Sequence, residues 1–155
     1  MMKVLLTGGK GMLGRTIRRI LGGRFEIIPT DLPEADITDP GVFSAVLAKH
    51  SPDAVIHCAA MTAVDKCETE RELAYRLNER GSANVATACK AVGCRLLAIS
   101  TDYVFDGFAD HAYTEYDTAN GGATLYGKSK FAGEEAIRRI YPENSVICRV
   151  SWLYG

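Results

Sequence analysis

The sequence predicts an α/β fold with a doubly wound, mainly parallel sheet and helices on both faces, on the strength of three observations. Short apolar runs alternate with helix-period segments along the whole chain, the pattern of repeated strand-helix units. Each run is apolar throughout rather than alternating, as a strand needs when both faces of its sheet are covered. A glycine cluster, Thr7-Gly8-Gly9-Lys10-Gly11-Met12-Leu13-Gly14, follows the first run and opens the first helix.

In order along the chain, residues 3–6 read as the first strand and 11–21 as the helix after the glycines. Residues 25–28 read as the second strand, and Pro40–His50 as a helix whose N-terminus Asp39 can cap. Residues 54–58 make a third strand, and a long helical stretch runs from about 69 to 92. Residues 95–100 read as the fourth strand, Leu125–Ile140 as a helix and Ser145–Val150 as another strand. Between the last two strands, 106–124 is rich in Gly, Asp, Tyr and Thr with no clear period, and it runs directly into Tyr126. Long loops of that kind inside a compact domain tend to be functional or mobile.

A chain of 155 residues that is 47% hydrophobic fits one domain, 1–155, with a sizeable core. Its formal net charge is −1 and its cations are interspersed with acids, so it offers no stripe for a nucleic acid. Val4-Leu5-Leu6 is too short to span a membrane and Met1-Met2-Lys3 lacks the apolar region of a signal peptide. The expectation is therefore a cytoplasmic protein that binds neither nucleic acid nor membrane. Five cysteines, Cys58, Cys67, Cys89, Cys94 and Cys148, contain no Cys-x-x-Cys pair and read as free, packed thiols. His50, His57 and His111 are scattered and supply no metal-ligand spacing, so no metal is expected.

The glycines stand after a strand and before a helix, the context that gives such spacing meaning. Gly8, Gly11 and Gly14 permit a tight turn and close approach of backbone to a pyrophosphate, to which the helix N-terminus offers partial positive charge. Gly9, Gly11 and Gly14 satisfy the related G-x-G-x-x-G form equally well, which makes the domain Rossmann-like without choosing a subclass. Asp31, about twenty residues on, can accept from ribose hydroxyls and favours NADH, whereas Arg15 could meet the 2′-phosphate of NADPH. Asp36, in Asp36-Ile37-Thr38-Asp39, could accept from the adenine amino group or serve its loop, and Ala59 and Ala60 are small enough for a cofactor to pass over the third strand. Candidate cofactor contacts are thus Gly8, Gly11, Met12, Leu13, Gly14, Asp31, Asp36, Ile37, Ala59 and Ala60, with Tyr126 and Lys130 shared with the chemistry.

Tyr126-Gly127-Lys128-Ser129-Lys130 puts a phenol and an ammonium four residues apart on one helix face, where the Lys130 charge is expected to lower the Tyr126 pKa. A phenol so tuned is a proton donor suited to hydride transfer. Ser100 and Thr101 end the fourth strand at its carboxyl edge, where doubly wound sheets hold ligands, and a hydroxyl there can donate to a substrate carbonyl. Asn78 reads equally as a helix residue bonding a strand near the site or as a solvated position. Trp152 reads as core before cleft on residue type. Met61, Thr62 and Asp65 face the same side of the sheet, with no role assigned.

These motifs resemble those of the extended short-chain dehydrogenase/reductases, and within them the dTDP-4-dehydrorhamnose reductase branch. The resemblance is carried by residues 7–14, 36–39, 52–66, 100–105, 126–130 and 151–154, so it spans essentially the entire chain. Thr-Ala-Val-Asp-Lys at 62–66 and Ser-Thr-Asp-Tyr-Val-Phe at 100–105 point to that branch in particular. It implies reduction of the 4-keto group of a deoxythymidine diphosphate sugar, with Thr101, Tyr126 and Lys130 as catalytic residues and NADH or NADPH as cofactor. Related dehydratases carry an acid after the Thr-Asp pair; Tyr103 stands there in this chain, which argues for reduction.

Met61 stands where the family usually has Tyr or His, and Gly121-Gly122 where it usually has Pro. The family also runs on through a second, substrate-enclosing domain, which this chain is expected to lack, leaving a cofactor-binding part that could be inactive alone. A homo-oligomer is a further expectation, because an uncovered apolar sheet edge favours self-association. Two alternatives stay open: a non-catalytic dinucleotide-binding regulatory subunit, and a nucleotide-sugar epimerase of the same superfamily.

Overall fold

The computed structural model describes residues 1–154. Five strands, β1 (Lys3–Thr7), β2 (Glu26–Thr30), β3 (Ala54–His57), β4 (Arg95–Thr101) and β5 (Ser145–Val150), pair in parallel in the order β2-β1-β3-β4-β5. Helix α1 (Met12–Leu21) joins β1 to β2 and α2 (Pro40–His50) joins β2 to β3. Four helical segments fill the next crossover: α3 (Val64–Thr69), α4 (Arg71–Tyr75), a π-helical turn (Arg76–Gly81) and α5 (Ser82–Val92). Helix α6 (Leu125–Ile140) precedes β5. Right-handed crossovers then dictate the layers. The step from β1 to β2 puts α1 on one face, and every later step runs the other way, which puts α2, α5 and α6 on the opposite face. Both faces thus carry helix, as the apolar runs predict.

The main core lies between the sheet and the three-helix side. Leu5, Val55 and Leu96 from the strands meet Phe43 and Leu47 of α2, Val85 of α5 and Ile137 of α6, all essentially inaccessible. Each such side chain contributes about 1.5–3 kcal/mol on burial, before chain entropy is set against it. On the other face α1 reaches β2 but leaves β5 open, so Val146 is 62% exposed and Cys148 is also exposed. Cys148 is therefore not the packed thiol that its apolar run suggests, whereas Cys67, Cys89 and Cys94 are buried.

Two other departures have plain causes. Strand β2 continues through Pro29 to Thr30, past the expected end at 28, because β2 is the sheet edge and a missing N–H there breaks no ladder bond. The expected helix 69–92 is broken at Glu70, whose backbone (φ −114°, ψ 52°) is not helical, and again by the π-helical turn. Each π-turn inserts a residue and redirects the side chains beside it. Among the described residues no helix is long and apolar enough to cross a membrane.

Candidate functional site

The chain leaves β1 toward β2 and returns on the other side at β3, so the loops after β1 and β3 diverge and open a crevice at the carboxyl ends of the strands. A cleft of about 730 Å³ occupies this point. Its walls hold every residue singled out from the sequence: Gly8, Gly11, Met12, Leu13, Gly14, Asp31, Asp36, Ile37, Ala59 and Ala60 toward one end, and Thr101, Tyr126 and Lys130 toward the other.

At the first end the wall is backbone. Gly8 has φ +67°, and a Cβ on it would lie 2.8 Å from the Ala59 nitrogen, so the turn and β3 touch only because no side chain intervenes. A Cβ on Gly14 would overlap the Gly8 carbonyl oxygen and lie 2.8 Å from the Gly9 Cα. The Gly11 N–H donates to the Gly8 oxygen at 3.0 Å and closes the turn. Helix α1 starts without a side-chain cap and without an acid in its first turn, so its leading N–H groups and dipole remain open to an anion. A pyrophosphate fits this cradle: backbone donors face it and Cβ atoms would fill it.

Asp31 anchors the turn from outside, its carboxylate accepting the Lys10 N–H at 2.9 Å and the Leu32 N–H at 3.0 Å. Arg15, a sequence candidate for a 2′-phosphate, instead donates to the Lys10 carbonyl at 2.8 Å and is not part of the cleft wall. Lys10 is in that wall, a cation the sequence reading passed over. Asp36 accepts from the Thr38 N–H and hydroxyl at 2.8 and 2.7 Å, so its loop role is realised while it still borders the cleft.

At the other end the wall is buried side chains. Thr124 caps α6 by accepting the Gly127 N–H at 3.0 Å, which sets Tyr126 in the first turn. Its ring meets Tyr103 edge to face at 5.7 Å. Burial pushes the Tyr126 pKa up, opposed by the Thr101 hydroxyl beside it. The expected lowering by Lys130 is not what the structure has: the Lys130 ammonium crosses to β4 and donates to the Ile99 carbonyl at 2.8 Å. Helical spacing put both groups on one face, but desolvation of the phenol outweighs the charge. Burial also lowers Lys130 itself to about 8, with Glu134 and Cys58 pulling it back toward the charged form.

Behind these groups runs a buried hydrogen-bond chain that sequence reasoning did not find. The Ala59 N–H donates to the Thr7 hydroxyl at 3.2 Å, and that hydroxyl meets His57 Nδ1 at 2.8 Å. His57 Nε2 meets the Ser82 hydroxyl at 3.2 Å, and Ser82 donates to the Asn78 carbonyl at 2.7 Å. These donor assignments require a neutral imidazole carrying its proton on Nε2, and burial, followed by the Lys130 charge, lowers the His57 pKa to about 3. Asn78 resolves to the strand-side alternative: 1% exposed, it brackets the Met61 backbone N–H and carbonyl at 2.8 and 3.0 Å and reaches Ser129 at 3.0 Å. Ser129 in turn donates to the Tyr126 carbonyl at 2.8 Å. The chain thus links the glycine turn to the helix that carries Tyr126. A polar residue recurring inside apolar β3, His57, was its one visible signal.

Glu134, 2% exposed, accepts from Arg149 of β5 at 3.0 and 2.7 Å and from Arg138 at 2.7 Å, which ties α6 to the sheet one turn beyond Lys130. Trp152 is not core: it is 86% exposed and lines the cleft with Leu153, because the chain leaves β5 over the open carboxyl edge.

A parallel sheet with a glycine turn at its switch point and a Tyr/Lys helix beside the neighbouring strand end defines a Rossmann-like domain of the kind found in reductases and epimerases. Residues 2–155 match the family model described as RmlD substrate binding domain, and the chain belongs to that family. It is 43% identical over 152 residues to a dTDP-4-dehydrorhamnose reductase of Streptomyces griseus, covering 97% of this chain and 50% of that protein. Among solved structures it is similar to a dTDP-4-dehydrorhamnose reductase of Clostridium acetobutylicum, with 45% identity and a TM-score of 0.95, covering 99% of this chain and 55% of the other. The enzyme of the same name from Bacillus anthracis, solved in complex with NADP, is 40% identical with a TM-score of 0.94, again covering 99% and 55%. The chain spans about half the length of the curated relatives it matches.

Proposed function

We propose that residues 1–155 form the cofactor domain of a reductase that uses NADH or NADPH to reduce the 4-keto group of a nucleotide sugar, dTDP-4-dehydrorhamnose, to the dTDP-L-rhamnose form. The single observation that carries the reading is the meeting, in one cleft, of a backbone cradle with a buried phenol and a buried ammonium. Similarity along nearly the whole chain to proteins named for this reduction supports the substrate class. Free thiols suit a reducing cytoplasm, and the exposed Val146 supports self-association, which light scattering reads directly.

Gly8, Gly11 and Gly14 with the α1 N-terminus would hold the pyrophosphate, Met12 and Leu13 its near side, and Asp31, Asp36 and Ile37 the adenosine. Ala59 and Ala60 leave room over β3. When bound, the nicotinamide supplies the hydride. Lys130 donates to the nicotinamide ribose, and its charge then lies beside the phenol. Burial keeps Tyr126 protonated at neutral pH, the form that can donate to the sugar carbonyl oxygen. Thr101 offers a second hydroxyl donor. Both bonds strengthen as that oxygen becomes alkoxide-like, so they stabilise the transition state more than the bound ketone.

The test is NADPH consumption driven by a dTDP-4-keto-6-deoxyhexose, compared between the chain and its Tyr126→Phe variant. Consumption by the parent, reduced at least about hundredfold in a variant that still binds NADPH, is the expected result. A parent that binds NADPH yet consumes none with this sugar contradicts the reading.

A further inference from the structure

We propose that Lys10 admits a 2′-phosphate at the adenosine ribose, so that Lys10 and Asp31 divide the two cofactors: Lys10 binds the phosphomonoester of NADPH, and Asp31 binds the ribose hydroxyls of NADH. The inference rests on the dinucleotide reading above and deepens it. Three charged side chains gather where β1 and β2 end, Lys10, Arg15 and Asp31, and their hydrogen bonds separate their roles. Arg15 is committed to the Lys10 carbonyl and stands outside the cleft. Lys10 and Asp31 both line the cleft.

The Lys10 ammonium donates to the Leu32 carbonyl at 3.1 Å, one residue past the acid, rather than to the acid itself. That contact uses one of its three N–H donors and none of its charge, which leaves a point cation on a flexible stem at the end of β2. Asp31 is fixed differently. Each carboxylate oxygen takes one backbone N–H, from Lys10 and Leu32, and retains a lone pair. It can accept a ribose hydroxyl, but its charge opposes a phosphate. Helix α1 has no acid in its first turn to add to that repulsion. The subsite therefore holds one group suited to each form of the ribose, and the mobile one is the cation. Lys10 is exposed, so its contact with a phosphate is screened by salt and modest in size.

The test measures Kd for NADPH and for NADH by nicotinamide fluorescence on the parent chain, Lys10→Met, Lys10→Arg and Asp31→Asn, at low and high salt. The expected result is a shift of the NADPH:NADH preference about tenfold toward NADH in Lys10→Met, kept near the parent value in Lys10→Arg. Asp31→Asn moves the preference toward NADPH by about threefold to tenfold. Salt weakens NADPH binding more than NADH binding in the parent, and this difference shrinks in Lys10→Met. An unchanged preference in Lys10→Met, including equal loss of both cofactors, overturns the inference, because the side chain would then serve only the turn. A folded parent that binds neither cofactor overturns the dinucleotide reading, and the inference falls with it.

Discussion

The two ends of the cleft are built from different material. The cofactor end is backbone: a turn of glycines, the bare N-terminus of α1 and the small residues after β3. The chemical end is buried polar side chains, Asn78, Ser129, Lys130 and Thr101, each held by groups from a distant part of the chain. A backbone site fails by losing its ligand, because whatever fills the cradle takes the ligand's place. A side-chain site fails by losing its stability, because each missing partner strands another polar group out of water.

Asn78→Leu should show the second kind of failure in its largest form. It leaves the Met61 N–H and carbonyl buried without partners, a cost of about 4 kcal/mol in urea unfolding. Gly14→Ala should show the first kind. The methyl gains about 1 kcal/mol of helix propensity, but it meets backbone of Gly8 and Gly9 that cannot yield. A net loss of about 2 kcal/mol, with NADPH affinity falling about hundredfold, is expected from unfolding and fluorescence titration. Asparagine at 78 kept and the turn broken, or the reverse, would separate the two ends cleanly.

Acid probes the link between them. The folded His57 pKa of about 3 lies below the unfolded value of 6.5, so the unfolded chain binds the extra proton and stability is lost as pH falls through that window. Between pH 7 and pH 5 the loss is about 2 kcal/mol, and His57→Gln should flatten the slope even if it lowers the plateau. Surface His111, raised by Asp110 and Asp117, acts in the opposite sense and is weak because it is exposed. The smallest effect is Arg138→Ala. Glu134 keeps Arg149, and a half-exposed ion pair is worth less than about 1 kcal/mol. A much larger loss would mean that Glu134 depends on both cations.

The same contrast explains what was legible in the sequence. Gly8, Gly11 and Gly14 announce themselves because backbone geometry imposes a local residue type at a fixed spacing, and the strand order follows from apolar runs and crossover handedness. Tyr126 and Lys130 were legible as a pair, but their electrostatics were not. The acidity of the phenol depends on burial by Tyr103 and on an ammonium that turns to Ile99, neither of which helical spacing encodes. Asn78 was invisible as a structural hinge because the break at Glu70 and the π-helical turn arise from packing of α4 against α6, within a stretch whose periodicity reads as one helix. Trp152 was misjudged because residue type predicts burial only where something covers the residue.

The central claim, that this cleft holds a nicotinamide dinucleotide on the α1 N-terminus, is tested most directly by NADPH fluorescence titration of the parent chain beside Gly11→Asp. Gly11 is the N-cap of α1 in extended conformation, a position that favours aspartate for folding while setting a carboxylate against the pyrophosphate. Saturable binding to the parent, abolished in a variant that is at least as stable, is the predicted result. Unchanged binding in Gly11→Asp, or none to a folded parent, would contradict it.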